Sequence, residues 1–85
     1  MKELNAYLGA QARSRRRQRR LTQKQVAAAI GVTTQQIQKY EDGLATISAV
    51  RLWQLSQALG VAPESFFDGY EAAVRAGPIV QAEAA

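Results

Sequence analysis

The feature that most constrains the fold is a helix-start signal that occurs twice in a short stretch. Thr22 begins the pattern Thr-x-x-Gln, in which the hydroxyl and the amide side chain each satisfy a free backbone N–H at the start of a helix. Thr33 begins the same pattern again. Gly31 and Gly43 follow the two segments, and glycine readily adopts the positive φ that ends a helix. The stretch therefore predicts two short helices in close succession.

The apolar residues of this stretch predict how the two helices pack. Ala27 is small at the position where the helices would cross, and Gly31 permits a three-residue turn between them. This spacing is typical of a helix-turn-helix motif, here over residues 23–42 with its second helix at about 33–42. The residues expected to point inward are Val26, Ala27, Ile30, Val32 and Ile37.

Glycines and prolines divide the rest of the chain into helical lengths, without the alternating pattern of a strand. A first helix is expected from about Glu3 to Arg19, a fourth after the cap residue Ser48, and a short fifth from about Pro63. The apolar residues assigned to these helices are Leu4, Leu8, Ala12, Val50, Leu52, Trp53, Leu55, Leu59, Phe66 and Phe67. We therefore expect an all-α fold, a compact five-helix domain over residues 1–69.

Two parts of this expectation concern the C-terminal half. Trp53 is expected in the core, whereas Phe66 and Phe67 suit either the core or a dimer interface. The segment after Gly69 has little pattern, so residues 70–85 are expected to form a flexible tail, with Ile79 and Val80 as its candidates for docking on a partner.

The charge is divided unequally along the chain. Residues 1–40 carry nine Lys and Arg against one Glu, a net charge of +8, whereas residues 41–85 carry two Arg against six acids, a net charge of −4. Six of the arginines lie within residues 13–20. Such a concentration favours a polyanionic partner over a merely solvated helix face.

Composition argues against several other classes of protein. The chain has no Cys and no His, so thiol and zinc-thiolate chemistry are excluded and the commonest general base is missing. Its acids are not paired, and we expect neither an enzyme nor a cofactor or metal site. Because it has no apolar run of about 20 residues and no signal peptide pattern, we expect a cytoplasmic protein. The basic first helix has too short and alanine-rich an apolar stripe for a membrane surface.

The second helix of the motif presents a polar face that suits DNA bases. Gln35 and Lys39 lie about 200° around the helix from Ile37, and Thr34 and Gln38 flank them. Glutamine can bond an adenine edge at two points, and lysine can donate to guanine O6 and N7. We therefore predict that Thr34, Gln35, Gln38 and Lys39 read bases. The cations predicted to bind phosphates are Arg13, Arg17, Arg20 and Lys24.

At these residues the chain resembles the phage repressor and Cro type of regulator, the XRE-like family. The resemblance covers about Leu8 to Asp68, through LTQKQVAAAIGVTTQQIQKYEDG and RLWQLSQALGV. It implies a lambda-repressor-like fold in which Gln23 binds a phosphate and braces the recognition helix. It also implies base contacts from Thr34, Gln35 and Lys39. The backbone contacts that it implies are at Thr33 and Gln36, and the ion pair that it implies joins Arg16 to Glu41.

Three positions depart from the family pattern. Arg20 stands where relatives often have glycine, so a positive φ there would strain the backbone. Arg19 replaces an apolar residue, and we expect the helix to pack on its alkyl stem. The loop after Gly43 lacks the usual basic residues, so phosphate contacts there would come from backbone N–H groups and the N-terminus of the Ser48 helix.

The expected function is sequence-specific binding of double-stranded DNA by a transcriptional regulator. A repressor is expected, acting as a homodimer on an inverted repeat. The residues considered for the dimer interface are Leu44, Trp53, Phe66, Phe67 and the tail. The alternative is an antitoxin-like or other protein-binding module, in which a protein partner is the main ligand and DNA binding serves autoregulation.

Overall fold

The helices begin and end close to the predicted capping residues. The computed structural model describes residues 2–75, and it contains no strand in that range. The helices are α1 (Lys2–Gln18), α2 (Gln23–Ile30), α3 (Thr34–Glu41), α4 (Ala49–Leu59), a 3₁₀ helix (Pro63–Phe67) and α5 (Tyr70–Arg75). The all-α fold with a helix-turn-helix motif is confirmed, and the turn between α2 and α3 has the predicted three residues.

Side chains cap the N-termini of α2, α3 and α4. Thr22 and Gln25 form both bonds of the predicted capping box, with the Gln25 N–H 3.0 Å from Thr22 Oγ1 and the Thr22 N–H 2.8 Å from Gln25 Oε1. The Thr33 hydroxyl accepts from the N–H three residues on at 3.1 Å, and Ser48 does the same for α4. These bonds satisfy N–H groups that a helix leaves free at its start.

The first four helices end in the same backbone arrangement. Gly31, Gly43 and Gly60 follow α2, α3 and α4 with φ of 74°, 72° and 69°. Arg20 takes that place after α1, with φ of 56°. In each case the next N–H bonds the carbonyl five residues back, as in a Schellman motif. The four bonds are Leu21 to Arg16, Val32 to Ala27, Leu44 to Lys39, and Val61 to Ser56. The positive φ considered for Arg20 is therefore present.

A single core lies between α1, the motif, α4 and the 3₁₀ helix. Its buried apolar residues are Leu8, Ala12, Val26, Ala27, Ile30, Ile37, Tyr40, Ile47, Leu55, Leu59 and Phe66. Four of the five motif residues expected inside are buried, and Val32 packs against the core while partly exposed. The periodicity of the sequence therefore predicted the inner faces of α1, α2 and α3.

Glycine at position 9 allows α1 and α3 to cross closely. A Cβ on Gly9 would lie 2.1 Å from the Tyr40 carbonyl oxygen and 2.9 Å from that of Glu41. These are backbone atoms that cannot rotate away. The contact brings the middle of α1 against the C-terminal end of α3.

Two aromatic positions differ from expectation. The prediction that Trp53 lies in the core is wrong, because its exposed fraction is 56%. Leu55, which is 2% exposed, fixes the inner side of α4, and Trp53 lies about 200° around the helix from it. Phe66 is fully buried and Phe67 is 41% exposed, so the two phenylalanines have separate environments.

The segment expected to be a tail begins with a helix. Tyr70–Arg75 form α5, and the Tyr70 ring centroid lies 5.1 Å from that of Tyr7 on α1. The Tyr7 hydroxyl also donates to the Asp68 carbonyl. An aromatic contact between residues so distant in sequence leaves no local pattern, which explains why α5 was not anticipated. The docking candidates Ile79 and Val80 lie outside the described residues.

Candidate nucleic-acid interface

The exposed face of α3 carries the side chains predicted to read bases. Ile37 and Tyr40 are 1% and 6% exposed and anchor α3 to the core. Gln35, Gln38 and Lys39 are exposed on the other side, and Thr34 is half-buried beside them. Within residues 2–75 these four side chains make no hydrogen bond, so their donors and acceptors are available to a ligand. The predicted base-reading residues thus share one accessible face.

Glu41 ends α3 and is the most heavily bonded carboxylate of the described chain. Its side chain is only 2% exposed. Arg16 Nε lies 2.6 Å from Glu41 Oε2, and Arg16 Nη2 lies 3.1 Å from Oε1. Gln23 Nε2 and Arg13 Nε approach the same Oε1 at 3.0 and 3.3 Å. The ion pair between Arg16 and Glu41 is therefore present, within a network that joins α1, α2 and α3.

The charge of Glu41 is stabilised despite its burial. Burial alone would raise the pKa of Glu41. The hydrogen bonds from Arg16, Gln23 and Arg13, together with the positive charge of Arg16, outweigh this and hold the pKa below its ordinary value. The carboxylate is therefore ionised at neutral pH and acts only as an acceptor.

Arg13 is engaged at the end of the recognition helix. Its Nη2 lies 2.8 Å from Asp42 Oδ1, in addition to the contact of its Nε with Glu41. The sequence predicted a phosphate ligand here and gave no sign of the two carboxylates. The Arg13 side chain is nevertheless 38% exposed, so its guanidinium is accessible to a ligand while it bonds the two carboxylates.

Three other arginines bind groups on distant elements. Arg15 donates to the Ser65 hydroxyl at 2.9 Å and to its carbonyl at 3.1 Å, which ties α1 to the 3₁₀ helix. Arg19 donates to the Leu59 carbonyl at 3.0 Å at the C-terminus of α4. Arg51 donates to the Ile30 carbonyl at 3.0 Å at the C-terminus of α2. A cation at a helix C-terminus complements the helix dipole.

The expectation for Arg19 requires correction. We expected its alkyl stem to replace an apolar residue, but its guanidinium binds a helix end instead. Glycine at position 60 makes room for it, because a Cβ there would lie 2.0 Å from Arg19 Nη1. These partners lie about forty residues away, so only the fold could identify them.

Four cations near the motif have no such partner. Within residues 2–75 the side chains of Arg17, Arg20, Lys24 and Lys39 make no hydrogen bond or ion pair, and all four are exposed. Arg17 lies in the last turn of α1, Arg20 follows the helix, and Lys24 lies in the first turn of α2. Of the six arginines in residues 13–20, these two are therefore the ones whose side chains have no bonding partner within the described part of the chain.

The remaining predicted backbone contacts lie at helix starts. Thr33 is exposed at the N-terminus of α3, and Gln36 is half-buried in its first turn. In the loop after α3, Leu44 is 75% exposed and Thr46 accepts from Asn5 at 3.2 Å. The Ser48 hydroxyl caps the α4 N-terminus, which occupies one of the N–H groups expected to face a phosphate.

Among residues 2–75, no helix combines the length and the apolar character needed to span a membrane. That same range holds no group of three or more acidic side chains placed to bind a metal ion.

Known proteins similar to this chain carry the same motif. The helix-turn-helix family model matches residues 13–66. An HTH-type transcriptional regulator of Sinorhizobium fredii, y4aM, is 46% identical over 65 residues, which are 76% of this chain and 46% of that protein. A transcriptional regulator in the ATPase CF(0) region of Rhodospirillum rubrum is 44% identical over 68 residues, which are 80% of this chain and 63% of that protein. The chain spans about half the length of the first of these relatives.

Two solved structures share the fold. The clp gene regulator ClgR from C. glutamicum is 26% identical, with a TM-score of 0.77 over 82% of this chain and 91% of its own. The restriction-modification controller protein C.AhdI from Aeromonas hydrophila is 25% identical, with a TM-score of 0.71 over 74% of this chain and 96% of its own. Since the family model matches more than half of the residues, this chain belongs to the XRE-like helix-turn-helix family of transcriptional regulators.

Proposed function

We propose that this chain binds double-stranded DNA in a sequence-specific manner, with α3 in the major groove. The observation that carries this proposal is the exposed face of α3, whose amides and ammonium group have no partner within residues 2–75. Such groups are suited to the distinct donor and acceptor pattern that each base pair presents in the major groove. The buried side of α3 is held by Ile37 and Tyr40, so the face is presented by a rigid element.

Specificity and affinity would come from different residues. Gln35 and Lys39, with Thr34 and Gln38, would contact base edges, each good contact being worth roughly 1–3 kcal/mol against the wrong base. The exposed cations Arg17, Arg20 and Lys24, whose side chains make no bond within the described residues, would contact phosphates and give affinity that falls with salt. Further backbone contacts are proposed for Thr33, Gln36, Gln23 and Arg13.

The regulator is proposed to act as a repressor and as a homodimer in the cytoplasm. One motif reads few base pairs, whereas a two-fold dimer reads two half-sites about 34 Å apart. Of the interface residues considered from the sequence, Leu44, Trp53 and Phe67 are exposed, whereas Phe66 belongs to the core. The names of the two structural neighbours, a gene regulator and a controller protein, support a regulatory role.

Selection of bound duplexes from a random DNA library, at low and moderate salt, tests this function. Enrichment of an inverted repeat with half-sites one helical turn apart is the expected result. Binding that enriches no sequence and disappears at moderate salt would contradict base reading by α3. Co-purification of a basic protein with the chain, in the absence of any enriched DNA, would favour the protein-binding alternative.

The division of roles is tested by Gln35→Ala and Arg17→Ala on the selected duplex and on single-base variants of it. Gln35→Ala is expected to relax the preference at one base position by about tenfold, which is the lower half of the usual range for one base contact. Arg17→Ala is expected to weaken all duplexes alike and to reduce the salt slope by about 1. Gln57→Ala on α4 is the matched control. Equal losses on every duplex for both variants would refute the assignment.

A further inference from the structure

The guanidinium of Arg13 is shared between two carboxylates of unlike character at the end of α3. Glu41, whose side chain is 2% exposed, has Arg16 and Gln23 as its other donors, so its charge is balanced without Arg13. Asp42 is 51% exposed, and within residues 2–75 its side chain bonds only Arg13, with 2.8 Å between Arg13 Nη2 and Asp42 Oδ1. The pair of Arg13 and Asp42 is therefore a surface contact beside a buried network.

Arg13 lies on the side of α1 that carries Arg17. Residues four apart on a helix share one face, and these two arginines line one shallow hollow together with Ser14 and Gln18. Arg17 makes no side-chain bond within the described residues and is proposed to contact a phosphate. A DNA backbone that meets Arg17 therefore approaches the guanidinium of Arg13 as well.

The donors of Arg13 that a phosphate needs are already engaged. Carboxylates and phosphates bind a guanidinium in the same way, often through two neighbouring nitrogens at once. Every pair of neighbouring nitrogens in Arg13 includes Nε or Nη2, and these bond Glu41 and Asp42. The exposed carboxylate of Asp42 also offsets the positive charge at direct contact. Asp42 thus occupies Arg13 in the manner of a phosphate.

We propose that Asp42 competes with a DNA phosphate for Arg13 and thereby limits the part of DNA affinity that does not depend on sequence. This inference rests on the proposed function. An exposed ion pair is weak and is screened by salt, so a phosphate can displace Asp42 at a small cost. Glu41 keeps Arg16 and Gln23 during the exchange, and the buried network stays in place. Asp42 therefore lowers affinity without preventing binding.

The first test compares DNA binding of the unmodified chain with that of Asp42→Ala. The variant is expected to bind the selected duplex about threefold more tightly, within the weak range of an exposed ion pair. An unrelated duplex should gain by the same factor, because phosphate contacts carry no base information. The salt dependence should steepen by about one phosphate contact. Asp42→Asn, which keeps a neutral acceptor, should gain less in the same direction.

Asp68→Ala is the matched control for net charge. Asp68 is exposed, and its side chain bonds no cation within the described residues, so its removal should leave the affinity nearly unchanged. An equal gain from Asp68→Ala would overturn the proposal, because charge alone would then explain the effect. Unchanged or weaker binding by Asp42→Ala would also overturn it, since Asp42 would then be neutral or would hold Arg13 in place for DNA. A gain confined to one base position would do the same.

The second test repeats Asp42→Ala in a chain that already carries Arg13→Ala. If Asp42 acts through Arg13, the gain should fall to less than about half, because no guanidinium is left to release. The same gain in both backgrounds would mean that Asp42 repels phosphates directly, and it would refute the competition. If the unmodified chain selects no DNA sequence, the proposed function itself fails. If it selects one but Asp42→Ala brings no gain, the proposed function stands and only the role of Asp42 is lost.

Discussion

Arg20 stands where relatives of this chain often have glycine, and its backbone conformation is expected to lower the stability of the fold. It holds φ at 56° in the position that Gly31, Gly43 and Gly60 hold after the next three helices. A side chain in the left-handed region brings Cβ close to the following carbonyl, which costs roughly 1–2 kcal/mol. The resemblance to relatives with glycine predicted this strain, since the substitution is visible in the sequence alone.

Replacing Arg20 by glycine is expected to raise the free energy of unfolding by about 0.5–1 kcal/mol, the relief of strain less the greater chain entropy of glycine. Urea denaturation at fixed ionic strength measures this change. Arg17→Ala removes the same charge without altering the backbone, and it should stay within about 0.5 kcal/mol of the unmodified chain. A less stable Arg20→Gly variant would show that the arginine side chain has a stabilising contact.

The ionisation of Glu41 makes the free energy of unfolding depend on pH. Its pKa in the folded chain is below the ordinary value of 4.5, so the unfolded chain takes up the proton first as the pH falls. The stabilisation is therefore complete above pH 4.5 and is lost as the pH drops toward the folded pKa. The difference in unfolding free energy between the unmodified chain and Glu41→Gln should shrink over this range. A difference that does not change with pH would mean that Glu41 is not held as its charged form.

At the scale of elements, local sequence patterns predicted the helix boundaries but not the distant side-chain contacts, of which only the Arg16–Glu41 pair was expected, through the family resemblance. Capping patterns located the starts of α2, α3 and α4, and glycines located the ends. Apolar periodicity identified the inner face of α3 and therefore the exposed face proposed as the DNA site. The partners of Arg13, Arg15 and Arg19 could not be predicted, because each lies on another element. The same is true of α5, which packs through Tyr7 and Tyr70.

The crossing of α1 and α3 provides a test at this scale. Gly9→Ala would place a methyl group 2.1 Å from the Tyr40 carbonyl oxygen, so the helices must separate. We expect a loss of roughly 1–3 kcal/mol in unfolding free energy, as for overpacked cores. Its neighbour Ala10 is exposed, and Ala10→Gly should cost about 1 kcal/mol through helix propensity alone. Thermal denaturation of both variants compares the effects. A Gly9→Ala variant as stable as the unmodified chain would exclude this close crossing.

At the scale of the whole molecule, charge and apolar surface are distributed over different regions. The basic excess of residues 1–40 belongs to α1 and the motif, whereas the acidic excess lies in the second half. The division of charge can be read directly from the sequence. The position of Trp53 could not, and the prediction that it lies in the core was wrong. A large apolar side chain in a leucine-rich helix is expected to be buried. Only the orientation of α4 in the fold shows that Trp53 lies on its exposed side.

Trp53→Gln is expected to change the free energy of unfolding by less than about 1 kcal/mol, because the side chain is already largely in water. Leu55→Ala on the inner face should cost about 2–5 kcal/mol. Chemical denaturation at low protein concentration gives both values, and repeating it at high concentration reveals any dimer. A Trp53 effect as large as that of Leu55 at every concentration would contradict the exposed position.

The six arginines of residues 13–20 differ in how readily other residues could replace them. Arg15, Arg16 and Arg19 are fixed by partners on the 3₁₀ helix, α3 and α4, so their geometry resists exchange even for lysine. The side chains of Arg17 and Arg20 make no such contacts, so other non-glycine residues at these two positions should leave the free energy of unfolding within about 0.5 kcal/mol of its present value. Neighbouring arginines of this run are therefore expected to tolerate substitution differently. Differences among relatives in the proposed DNA affinity are expected at Arg17 and Arg20, while Arg15, Arg16 and Arg19 stay constant.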